Sequence, residues 1–298
     1  MFSRRLELVT WLGLSFALVA WTESHAKPTV YVVNYPLQYF TERIGAEHVQ
    51  VVFPAPADED PAFWKPDANT IAAFQAADLI IINGATYAKW LKTASLPKAK
   101  MVDTSEGFKA NYIEIKDTVT HSHGPGGEHS HAGTAFTTWL DFRQAAQQAQ
   151  AITAALSRLL PEQQSAFEQR YAELEQALLA LDQRLEAIVA KQRTQPLVAS
   201  HPVYQYLARH YGLNLQSVLW EPEVMPDDEQ WQALQSILKT HEAKWMLWEG
   251  DPLQASVDKL QTLGVKSLVF DPCGNTPEQG DFLSVMKQNV ENLQPAFQ

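Results

Sequence analysis

The chain has 298 residues, nine histidines, one cysteine and a formal net charge of −11. The lone thiol, Cys273, excludes an internal disulfide scaffold and a cysteine-based zinc finger. The acidic balance argues against nucleic acid and anionic membrane surfaces as partners, and suits a soluble protein that attracts cations.

Residues 1–26 read as a secretory signal peptide. Arg4 and Arg5 supply the positive start, Val9 to Trp21 the apolar centre, and Ser24-His25-Ala26 a small-x-small cleavage site. The apolar run is shorter than the roughly 18–20 residues a spanning helix needs. No cysteine follows the cleavage site, so no lipid anchor is expected. Cleavage after Ala26 leaves 272 residues, enough for two domains.

The remaining chain opens with Thr29-Val30-Tyr31-Val32-Val33-Asn34, a predicted strand that Tyr35-Pro36 breaks. Leu37 to Gly45 has helical spacing and ends at a glycine. Val49 to Phe53 predicts a second strand, Pro54 to Pro61 a proline-rich acidic loop, and Ala68 to Ala77 a helix with Asp67 as its N-cap. Leu79-Ile80-Ile81-Ile82 is the apolar run of a parallel strand buried on both faces, closed by Asn83-Gly84. This β-α-β-α-β order predicts an α/β lobe over 27–158.

Four of the histidines fall within residues 121–131: His121, His123, His129 and His131. Neutral imidazole is the commonest protein ligand for zinc, copper and nickel, and His-rich tracts read as metal-binding. Three glycines and Pro125 argue against a helix or a central strand here, so the tract is expected to be an exposed loop. A solvated polar linker is the plainer alternative.

From Phe142 to Gln192 nearly every residue is a helix former, with one break at Leu160-Pro161-Glu162. The second piece carries Leu174, Leu178, Leu181, Leu185 and Ile188 as one apolar stripe. About 30 residues of helix span about 45 Å, longer than one lobe needs, which predicts a linker helix over 159–193. A second α/β alternation then fills 194–298. Its predicted strands are Pro196 to Ser200, Leu215 to Trp220, Trp245 to Glu249 and Ser267 to Asp271. The expected architecture is therefore two α/β lobes joined by one long helix, with a ligand cleft between them.

In open α/β sheets, ligands bind beyond the carboxyl ends of the strands. Three polar residues of the second half lie there: His201, Glu249 and Asp271. A His–carboxylate pair suits a divalent metal. The alternatives are that His201 caps the following helix and Asp271 starts a turn. Trp64, beside the acidic loop, is a candidate to line the cleft, whereas Trp245 and Trp248 read as core.

The chain order resembles the metal-binding class of periplasmic solute-binding proteins that feed zinc- and manganese-type ABC importers. The resemblance rests on several motifs: Gln75-Ala76-Ala77-Asp78-Leu79 leading to Asn83-Gly84, the His-rich tract, Trp139-Leu140-Asp141, Ser200-His201, Tyr206 to Leu213, Phe270-Asp271-Pro272 with Gly274, and Gln288-Asn289 with Leu293. It implies a protein that captures an ion, zinc foremost and Mn2+, Cu2+ or Ni2+ as alternatives. It also implies a monomer without enzymatic activity that delivers the ion to an inner-membrane permease. Of the four ligands of that class, His201 and Asp271 match the third and fourth. The first histidine is replaced by Ala62 and the second by Thr137. Glu59 or Asp60 is expected to stand in for the first; water, the His tract or Glu249 is expected at the second. A periplasmic buffering protein built on the His tract, and a zinc hydrolase with Glu249 or Glu59 as base, are the competing readings.

Overall fold

The computed structural model describes residues 26–115, 120–122, 128–130 and 133–298, with 120–122 and 128–130 described by backbone alone. The expected signal peptide, apart from Ala26, lies outside the described residues, as do His123 and His131.

Each half is built on a four-stranded, all-parallel sheet. In the first, β1 (Thr29–Val32), β2 (Gln50–Val52), β3 (Leu79–Ile82) and β4 (Met101–Asp103) lie in the order β2-β1-β3-β4. The strand β4 escaped the sequence reading, because its three residues carry no usable alternation. Two antiparallel pairs lead on from it: β5 (Glu114–Ile115) with β8 (Gly133–Thr134), and β6 (Thr120–Ser122) with β7 (Glu128–Ser130). The His tract, expected as an exposed loop, thus carries a short antiparallel strand pair in which His121 lies in register with His129.

In the second half, β9 (Pro196–Ala199), β10 (Asn214–Ser217), β11 (Trp245–Trp248) and β12 (Lys266–Val269) lie in the order β10-β9-β11-β12. Both sheets are doubly wound, and strand order reverses between β1 and β3 and between β9 and β11.

The helices cover the sheet faces. The first, α1 (Tyr35–Gly45), begins two residues earlier than the sequence suggests. Pro36 sits in its first turn, where a missing N–H costs nothing, and the Asn34 side chain accepts from the Leu37 N–H as N-cap. Asp67 caps α2 (Ala68–Ala76) through the Thr70 N–H. Next come α3 (Phe142–Leu159) and α4 (Gln164–Val189), separated by a 3-10 turn at Pro161–Gln163. They pack against each other, and α4 also touches α1 on one side and α5 (Gln205–Tyr211) and α8 (Phe282–Leu293) on the other. The second lobe is completed by α6 (Asp228–His241), which starts with an Asp227–Gln230 capping box, and α7 (Gln254–Thr262).

One hydrophobic core runs through both lobes. Phe40 and Ile81 of the first, Leu156, Leu178 and Leu185 of α3 and α4, and Leu197, Phe270 and Phe282 of the second belong to it. A smaller cluster around Trp220, Trp231 and Trp248 fills the outer face of the second sheet. Among the described residues no helix is long and apolar enough to cross a membrane.

Candidate metal site

The carboxyl ends of both sheets open onto a cavity of about 490 Å³ between the lobes. From the second lobe come His201, two residues past β9; Glu249, the residue after β11; and Glu221, four residues past β10. β9 and β11 flank the reversal of strand order, so His201 and Glu249 stand at the topological switch point where open α/β sheets bind ligands.

These three residues form the one cluster of three or more His, Cys, Asp or Glu among the described residues whose ligand atoms all lie within 4.8 Å of one another. His201 is 2% exposed, and its Nδ1 lies 3.5 Å from Glu249 Oε1 and 3.6 Å from Glu221 Oε1. Zinc bonds of about 2.0–2.2 Å at tetrahedral angles place neighbouring ligand atoms about 3.3–3.6 Å apart. The His201 distances are therefore edges of a polyhedron that fits a small divalent cation. Burial, and then the negative charges of Glu221, Asp60, Glu223 and Asp271, push the Glu249 carboxyl well above the usual carboxylate range. A divalent cation among these oxygens would remove that repulsion.

The other expected residues are not part of this cluster. His201 does not cap α5; that helix starts after Tyr204 without a side-chain cap. Asp271 lies outside the cluster. Its Oδ1 accepts from the Cys273 N–H at 2.6 Å, and its backbone exchanges hydrogen bonds with the Asn289 amide. That arrangement is the turn alternative drawn from Asp271-Pro272. Burial raises the Asp271 carboxyl, partly offset by the Cys273 N–H. Glu59 and Asp60 line the cavity from the acidic loop but are not in the cluster. Asp60 Oδ1 accepts from the Ala62 N–H at 2.9 Å. Ala62 itself is fully buried, and Thr137 lines the cavity with its hydroxyl donating to Val203 O. Trp64 packs edge-on to Trp90 and does not line the cavity; its neighbour Phe63 does. Trp248 is core, as expected.

Glu221 was missed by the sequence reading. The sequence predicts a strand through Leu215 to Trp220, but β10 stops at Ser217, and the chain then turns so that Trp220 N–H donates to Ser200 O at 2.7 Å. That bond brings Glu221 beside His201. A carboxylate directly after a strand ending in Trp220 was the available signal.

Hydrogen bonds tie the lobes together around the cavity. Trp139 Nε1 donates to Pro272 O at 2.7 Å, Tyr35 N–H to Gly274 O at 3.1 Å, and Asn275 Nδ2 to Pro56 O and Glu59 O at 2.7 and 2.8 Å. At the equivalent switch point of the first lobe, Asn34, Asn83, Thr104 and Gln148 hydrogen-bond one another. That position is consumed by structure, and ligand groups are concentrated on the second lobe.

Two doubly wound lobes that share a core, with ligand groups at their facing strand ends, define a two-lobed solute-binding protein. The chain belongs to the family described as zinc-uptake complex component A, periplasmic, whose model matches residues 30–296. It is 26% identical over 283 residues to the high-affinity zinc uptake system protein ZnuA of Bacillus subtilis, covering 88% of this chain and 85% of that one. It is 23% identical over 289 residues to the zinc-binding lipoprotein AdcA of Streptococcus pneumoniae, covering 91% of this chain. The chain spans 56% of the length of that curated relative. Among solved structures, the metal-dependent lipoprotein YcdH from Bacillus subtilis superposes with a TM-score of 0.76 at 22% identity, covering 90% of this chain and 98% of that one. The Zn(II)-bound ZnuA-like domain of Streptococcus pneumoniae AdcA superposes with a TM-score of 0.75 at 22% identity, covering 91% and 99%. These two likenesses establish the shared fold.

Proposed function

We propose that this chain captures zinc in the periplasm and delivers it to the permease of an ABC importer, acting as a monomeric binding protein and not as an enzyme. The ion would sit on His201 Nδ1 and on the carboxylates of Glu221 and Glu249. The observation that carries this reading is the approach of both carboxylates to one buried imidazole at tetrahedral-edge distances. Family membership and the zinc-binding names of ZnuA and AdcA support zinc over the other divalent ions. Glu59 and Asp60 supply negative potential at the mouth and are the nearest candidates on the first lobe for an added ligand. The four histidines of 121–131 would act as a low-affinity antenna that raises the local ion concentration.

Zinc titration of the metal-free protein tests the assignment. One tight equivalent is expected in the parent, and His201→Ala should weaken it by at least about 100-fold, the upper range for losing even an outer support of a metal ligand. Unchanged tight binding in His201→Ala, abolished by deleting 121–131, would instead establish the buffering role of the His tract.

A further inference from the structure

The cleft is larger and more aromatic than a bare ion requires, and the three clustered ligand groups all come from the second lobe. Opposite His201, Glu221 and Glu249, the first lobe presents Phe63, Tyr87, Phe136, Trp139 and Thr137. None of these is a good zinc ligand, and the Thr137 hydroxyl is already donated to Val203 O. Three protein ligands would leave at least one position of a four-coordinate zinc open. Water could fill it, but the cavity of about 490 Å³ would hold on the order of sixteen waters at about 30 Å³ each. A volume of that size, walled by aromatics and focused on a few polar groups, is the usual form of a small-molecule site.

Charge restricts the molecule. The lining holds the carboxylates of Asp58, Glu59, Asp60, Glu221, Glu223 and Glu249 and no Lys or Arg; Lys89 sits over the Phe63 and Phe136 rings but is not part of the lining. Two carboxylates neutralise a divalent ion, and the remaining four repel an anionic chelator. A neutral or positively charged one is favoured.

The geometry points to a cleft that takes its cation together with a small nitrogen-donor chelator, neutral or positively charged, bridging His201, Glu221 and Glu249 to the aromatic wall of the first lobe. This rests on the reading of those three residues as the ion site. The chelator would supply the nitrogen donors that Ala62 and Thr137 do not, and its body would pack where water gains least.

Histamine, an amine–imidazole chelator that carries no negative charge, is the probe, and citrate the anionic contrast. Zinc binding to the full chain is measured at buffered free zinc concentrations, with and without histamine, alongside native mass spectrometry. At fixed free zinc, a chelator that merely competes has no effect on occupancy, whereas a ternary complex raises it. The expected result is a free-zinc half-saturation at least tenfold lower with histamine, a 1:1:1 protein–zinc–histamine mass, no such gain with citrate, and loss of the gain in His201→Ala. Half-saturation independent of histamine, with only the binary zinc complex present, overturns the chelator and leaves the zinc site standing. An equal gain with citrate overturns the charge assignment. No zinc bound under either condition overturns the ion site itself.

Discussion

Replacing Glu249 by Gln should act in opposite directions on the metal-free and zinc-loaded protein. Without metal, Glu221 and Glu249 hold oxygens within 4.8 Å of each other. Two unit charges at that distance repel by about 3 kcal/mol at an effective dielectric near 20. Both side chains are about one-fifth exposed, and water reduces this to about 2 kcal/mol. Protonation sets a ceiling. A carboxyl with an ordinary value of 4.5 costs at most about 3.4 kcal/mol to keep protonated at pH 7.

The sign follows from the raised folded-state value. The stabilising contribution of Glu249 is complete below pH 4.5 and is lost as pH rises through its higher folded value. Metal-free protein should therefore weaken from mildly acidic to neutral pH, and Glu249→Gln should not share that part of the loss. Urea denaturation in the presence of a chelator, from pH 5 to 8, should find the variant more stable by about 2 kcal/mol at pH 7.5, with the gap closing toward pH 5. With zinc added the order reverses, because the parent gains RT ln(1 + [L]/Kd) from a site that the variant has lost in part. Asp271 and Asp141 also have raised carboxyls, so the quantity to read is the difference between parent and variant. A metal-free variant less stable than the parent at neutral pH, or two parallel pH profiles, would refute the reasoning.

Three further outcomes are expected. Asp271→Asn keeps an oxygen for the Cys273 N–H and should change zinc affinity by less than about tenfold, whereas a direct ligand would lose at least about 100-fold on calorimetric titration. Asp182, 2% exposed, accepts from Arg143 Nε at 2.9 Å and Tyr211 Oη at 3.0 Å and lies 2.7 Å from His210 Nε2. Burial alone would raise its carboxyl, but these partners outweigh burial and hold it below the ordinary value of 3.8. Its contribution is therefore present above pH 3.8 and lost on acidification. Asp182→Asn should cost about 3 kcal/mol at neutral pH by denaturant melt, with zinc affinity unchanged. Asn275→Ala removes both bonds to the acidic loop and should speed zinc release by up to about tenfold in stopped-flow chelator experiments; an unchanged rate would show that the loop does not hold the cleft shut.

The fold was legible because its local and global preferences agree. Leu79–Ile82 is apolar throughout, as a doubly covered parallel strand must be, and Asp67 caps where a cap is needed. The misses are local and physical. β4 has only three residues, and Pro36 reads as a breaker until the Asn34 cap shows it to be the start of a helix. The site was half legible. His201 and Glu249 follow strands that the sequence marks clearly. Asp271 follows one equally well, yet it lies outside the clustered ligand atoms, with its Oδ1 accepting from the Cys273 N–H. Glu221 depends on where β10 ends, and strand ends are set by pairing across the sheet, which no single stretch of sequence encodes.

The same packing decides how the cleft can open. In a hinged two-domain protein each lobe carries its own core, and the lobes separate along a wet surface. Here Phe40 of the first lobe packs edge-on to Phe282 of the second at 5.1 Å, and α4 touches helices of both. Swinging the lobes apart would expose these side chains at about 25 cal/mol for each Å² of apolar surface. The hydrogen bonds from Trp139 Nε1 to Pro272 O and from Tyr35 N–H to Gly274 O would break as well. What can move cheaply is the rim. The loop carrying Glu59 and Asp60 is held across the cleft by Asn275, and the exposed Val224 and Met225 follow Glu221 on a turn outside regular structure. Ion entry and release should therefore run through these two rims, with Glu221 the ligand best placed to leave first. His201 and Glu249 are anchored just past the ends of β9 and β11, the two central strands of the sheet.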